Sequence, residues 1–162
     1  MSTSEPGEHE ATFTDEPSTL DDKTHTEMCM LYKESVDSLR FAKYMQWWTV
    51  GSTLIVFFAF IAVAKFVGAG ETYAKILTAL TIFIAMSGMF ALIIYQIWQF
   101  NEQEKIKDIA THLSSLFNHV RRIKSKREAD IHRYILLFFM MATIIIAAVV
   151  SYYGVLQVVA KP

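Results

Sequence analysis

Cysteine is almost missing from this chain. Cys29 stands alone among 162 residues, so no disulfide can close within the molecule and no C-x-x-C metal site exists. Nucleotide and hydrolase signatures are missing too: there is no G-x-G-x-x-G, no Walker loop, no H-E-x-x-H and no G-x-S-x-G. Neither charge sign dominates. Fifteen Lys and Arg stand against 16 Asp and Glu, a net −1, which removes the global basic footprint of a nucleic-acid partner.

The most informative absence is local. Three stretches, residues 47–67, 76–98 and 134–159, are almost free of charge; Lys65, at the far end of the first, is the exception. About 20 apolar residues suffice for a helix to cross a bilayer, so each stretch qualifies as a span. No alternating polar pattern suggests a barrel. Histidine is absent from all three, His132 lying only near the start of the third, which argues against a haem held inside the bilayer. The span centres hold no ionisable group, which argues against a proton-coupled transporter or pump.

Aromatic residues frame the spans. Trp47, Trp48, Tyr95, Trp98 and Tyr134 fall at one edge, and Tyr73, Tyr152 and Tyr153 at the other, the two-belt layout that amphipathic rings adopt at headgroup level. The cations are strongly asymmetric. Twelve Lys and Arg lie before the first span or between the second and third, and three, Lys65, Lys75 and Lys161, lie on the other side. The positive-inside rule then puts the N-terminus in the cytoplasm and the C-terminus outside. An acidic leader without an apolar core is neither a cleavable signal peptide nor a mitochondrial transit peptide, and the expected location is a bacterial inner membrane.

Residues 1–23 carry seven acids against Lys23 and read as a disordered cytoplasmic leader. Its functional reading is a tether for a basic partner, including this chain's own basic cluster. Thr24 and Glu27 have capping-box spacing, predicting an amphipathic helix over 24–46 with Met28, Leu31, Val36, Leu39 and Ala42 on its apolar side. That helix runs into the first span without a breaker.

Residues 99–133 are predicted to form a cytoplasmic helical hairpin. Ile106, Ile109, Leu113, Leu116, Val120 and Ile123 are spaced 3, 4, 3, 4 and 3, a short heptad seam that needs a partner helix. Two upright arms put the turn near the midpoint, Leu116. Ser125 and Glu128 offer a second capping box and a later turn. With the leading helix, the hairpin is expected to make a three-helix bundle. Asp108, His112 and His119 share a helix face if one helix continues through them; a solvated face explains them better than a metal.

Two further sets stand out. Thr81, Ala85 and Gly88 form a small-residue seam suited to close helix approach in lipid. Arg121, Arg122, Lys124, Lys126 and Arg127 form a juxtamembrane basic cluster suited to anionic lipid or an acidic partner. Gln46, Gln96 and Gln99 read as interfacial amides.

The expected fold is an all-α membrane protein with three transmembrane helices and a cytoplasmic helical extension. The expected function is non-enzymatic and cofactor-free: a self-associating or accessory subunit of a membrane complex. Its interface is expected to use the heptad seam and the small-residue seam. The alternative is a homo-oligomeric channel lined by Thr49, Ser52, Thr53, Thr78 and Thr81.

Overall fold

The computed structural model describes residues 16–67, 70–122 and 126–159. Four helices follow in order: α1 (Asp22–Val67), α2 (Glu71–His112), α3 (Ser115–Arg122) and α4 (Lys126–Val159). No strand occurs among the described residues. Three of the helices, α1, α2 and α4, are long and apolar enough to cross a membrane. No proline lies between Pro17 and Pro162, so nothing breaks the 46 residues of α1 or the 42 of α2, about 69 and 63 Å of helix.

The leading helix and the first span are thus one element. It starts earlier than the Thr24 capping box implies. Asp21 is the cap: its carboxylate accepts the Thr24 amide at 3.2 Å, and its carbonyl accepts the His25 amide at 2.8 Å. An aspartate satisfies a free N–H and complements the positive end of the helix together, which the hydroxyl of Thr24 cannot do.

α1 and α2 form a long antiparallel hairpin, with Gly70 as the extended residue before α2. The register is simple. Gln46 meets Gln96, Thr53 meets Gly88 and Ser35 meets Glu102, so paired position numbers total 142, 141 and 137. α4 packs against both long helices along the apolar half. There Val50, Phe57, Ala85, Leu92, Met140 and Ile144 make the main core, and Ala64, Ala74 and Val155 a second cluster toward the other end. One close approach is at Gly88, where an added Cβ would lie 3.2 Å from Thr53 Oγ1 and 3.5 Å from Ile144 Cδ1.

The stretch 99–133 holds the end of α2, the short α3 and the start of α4. α2 continues upright to His112 and breaks at Leu113–Ser114, three residues before the expected midpoint. Serine does this: Ser114 Oγ accepts the Phe117 amide at 3.3 Å and caps α3. α4 then opens at Lys126, beside the second capping box, whose Ser125 lies outside the described residues.

The end of the leader is not free either. Glu16 N–H donates to Ser115 Oγ at 2.7 Å, Ser115 N–H donates to the Glu16 carbonyl at 3.1 Å, and Ser18 Oγ donates to the His112 carbonyl at 3.1 Å. Residues 16–20 thus strap the α2–α3 break, occupying backbone groups that the interruption leaves without helical partners. Residues 1–15 lie outside the described residues.

Candidate functional site

The structure divides the predicted interface residues into three groups. Thr81, Ala85 and Gly88 are buried within the chain, Thr81 at 2% exposure, where α2 meets α1 and α4. Ile106 and Ile109 are buried as well, on the stretch of α2 that pairs with α1. These five pack within the chain. The physical reason is register: each lies where an antiparallel neighbour folds back onto it. Leu113 is half-buried at the break, whereas Leu116, on α3, is 47% exposed. The side chain of Val120 and all of Ile123 lie outside what is described.

The basic cluster is similarly distributed. Arg121 and Arg122 end α3, Lys126 and Arg127 open α4, and Lys124 lies outside the described residues. Asp108 and His112 share the last turn of α2, but the break at Leu113–Ser114 places His119 on another helix. No three metal-ligating side chains come together among the described residues.

Thr49 donates to the Met45 carbonyl, Ser52 to the Thr49 carbonyl and Thr81 to the Leu77 carbonyl, each on its own helix. Thr53 is 6% exposed, inside the bundle. The hydroxyls suited by type to a pore lining are therefore mostly satisfied locally or packed inward.

A buried polar ladder lies where the apolar half gives way to the charged stalk. Gln46, Gln96 and Gln99 read in the sequence as interfacial amides, yet all three are buried between helices, with Gln46 at 3% exposure. Gln99 Nε2 donates to Gln46 Oε1 at 2.8 Å. Gln46 Nε2 points to both Gln96 Oε1 and the Leu92 carbonyl at 3.4 Å, and Gln96 Nε2 has no partner.

One turn further out, Glu102 is 7% exposed and receives Lys105 Nζ at 2.8 Å. That bond lowers its pKa, opposed by burial and reinforced by the Ser35 hydroxyl, the Lys105 charge and the Trp98 indole. Reflecting α1 onto α2 about the connection between them places these residues opposite one another, so the sequence does contain a usable signal.

Beyond the ladder the molecule is a stalk, made of α1 residues 22–46 and α2 residues 99–112 with α3 beside its tip. Tyr32 on α1 meets Phe117 on α3 edge-on, with ring centroids 5.2 Å apart at 84°. Lower down, Arg133 of α4 lies over the Phe100 ring, 5.5 Å from its centroid.

Another face of the stalk is hollowed. An open groove of about 640 Å³ is lined by Met30, Glu34, Asp37, Ser38, Phe41 and Trp98. A second hollow of about 380 Å³ shares Glu34 and Ser38 and extends along Leu31, Glu102, Lys105 and Asp108. Met30 is 67% exposed and Phe41 51%. The two hollows together run from Met28 to Phe41, about 20 Å of helix. Their lining carries four carboxylates, Glu34, Asp37, Glu102 and Asp108, against Lys33 and Lys105.

No known protein family, curated protein or solved structure matches the chain.

Proposed function

We propose that this is a non-enzymatic integral membrane protein that acts by assembly, as a self-associating or accessory subunit, with its stalk in the cytoplasm and its C-terminus outside. The asymmetry of twelve cations against three supports that orientation, and a bacterial inner membrane suits a chain whose leader is acidic.

The observation that carries the reading is the stalk groove. Apolar side chains exposed along the spans face lipid and need no further partner. Met30, Leu31 and Phe41 project from a charged segment outside the spans, where apolar surface in water is costly and marks a contact. The basic segment 121–127 adds attraction to anionic lipid on the same side, about 1 kcal/mol per charge near the surface. The channel alternative draws less support, because its hydroxyl set is largely turned inward or bonded to its own helix.

Gentle extraction from native membranes, followed by measurement of particle mass and composition, tests the reading. A homo-oligomer or a complex with other subunits is expected. A monodisperse single chain, in lipid nanodiscs as well as detergent, would overturn it.

A further inference from the structure

The larger hollow and α3 lie on opposite sides of α1 at overlapping heights. α1 turns about 100° per residue. Counted from Tyr32, which touches α3, Glu34 stands about 160° round the helix and Phe41 about 180°. Tyr32 itself falls within the stretch of α1 that lines the groove. One side of the stalk therefore carries an acidic, apolar-floored groove. The other carries a short helix, α3, with an exposed leucine, Leu116, and a sequence that ends in Arg121 and Arg122.

We infer that the groove receives α3 of a second copy, so that copies join head to tail about an axis along the membrane normal. This rests on the assembly reading above and specifies its geometry. Three observations choose this occupant. The groove lining has four carboxylates against two ammonium groups, and α3 ends in two arginines, so the two elements carry opposite charge. Leu116 supplies an apolar side chain on α3 that its own chain leaves exposed. Copies in one membrane share orientation, which sets a groove and a neighbouring α3 at the same level.

A contact between two different faces is heterologous and generates a ring when its rotation closes. Confinement of every copy upright in one plane removes most of the orientational cost of association, so a contact of modest area suffices.

Cross-linking of the full-length chain in its native membrane tests this. In a Cys29→Ser background, Ser38→Cys marks the groove and Leu116→Cys marks α3. A short bismaleimide is expected to give a ladder beyond the dimer when both cysteines are in one chain. It is expected to give dimers only when the two single-cysteine chains are co-expressed, and no product from either alone. Glu34→Lys with Asp37→Lys is expected to reduce the ladder at least about tenfold, as is Arg121→Glu with Arg122→Glu, with recovery when all four are combined.

Dimers from Ser38→Cys alone would overturn the inference in favour of a symmetric stalk contact. A homo-oligomeric particle that gives no ladder would overturn this geometry and leave the assembly reading standing. A hetero-complex holding one copy of this chain would overturn it likewise, by assigning the groove to another subunit. A single-chain particle would remove both.

Discussion

Replacing Gln46 by leucine tests whether the buried amide ladder stabilises the hairpin or only fixes its register. The side chains are similar in volume, so little cavity forms. Gln99 Nε2 loses its 2.8 Å acceptor at a site only 5% exposed, and a buried donor left without a partner costs about 1–3 kcal/mol. The bonds from Gln46 Nε2 to Gln96 Oε1 and to the Leu92 carbonyl are both 3.4 Å, long enough that removing them counts for little. Burying methyl groups in place of an amide returns about 1 kcal/mol. Interhelical polar contacts in membranes average about 0.6 kcal/mol, which favours the low end of the range. The expected net loss is therefore small, at most about 1 kcal/mol.

Gln99→Leu should cost a similar amount, because it leaves Gln46 Oε1 without its donor. Gln96→Leu should be close to neutral or stabilising, because it removes a donor that has no partner. The triple leucine variant should recover most or all of the stability lost by either costly single change. Unfolding in mixed micelles, followed by the fluorescence of the nearby Trp47, Trp48 and Trp98, gives the ranking directly. Stabilisation by Gln46→Leu alone, or a triple variant less stable than that single one, would refute the reasoning.

The close approach at Gly88 gives a second test: Gly88→Leu should destabilise by about 1–3 kcal/mol in the same assay, because its first carbon already meets Thr53 Oγ1 at 3.2 Å. Gly88→Ala should be nearly neutral alone and stabilising once Thr53→Ala makes room; additive effects of the pair would show that the contact is not tight. The third test concerns acid. Glu102 has its pKa lowered in the folded chain, so its contribution is complete above the ordinary carboxylate range and disappears as pH falls through the lowered value. Glu102→Gln should therefore cost about 1 kcal/mol near neutrality, a figure held low because Lys105 is 62% exposed, and nothing in strong acid. Parallel stability profiles for the two proteins across that range would rule out the ion pair as a stabilising contact.

The spans are legible in the sequence because length and apolarity are properties of one segment at a time. Residues 47–67, 76–98 and 134–159 fall within α1, α2 and α4, the helices long and apolar enough to cross a membrane. Helix boundaries are less legible, because competing caps decide them. Asp21 outranks Thr24 by charge, and Ser114 ends one helix and caps the next with no Gly or Pro to announce it. The strap from Glu16 to Ser115 joins residues 99 apart through backbone and hydroxyl groups, and no periodicity registers such a contact.

The site resists reading for a different reason. A seam such as Ile106 and Ile109, or Thr81, Ala85 and Gly88, records that a helix needs a partner, not which helix supplies it. The closeness of an intrachain neighbour settles the matter: across a short connection the effective concentration of α1 at α2 far exceeds that of any second chain, so the best-formed seam is satisfied first within the molecule. A contact with a further chain would use what folding leaves over. On this stalk what is left over includes Met30, Leu31, Phe41 and Leu116, exposed among charged neighbours. Such a surface is weak as a sequence pattern because it is assembled from separate helices, and it becomes visible only when the register between them is known.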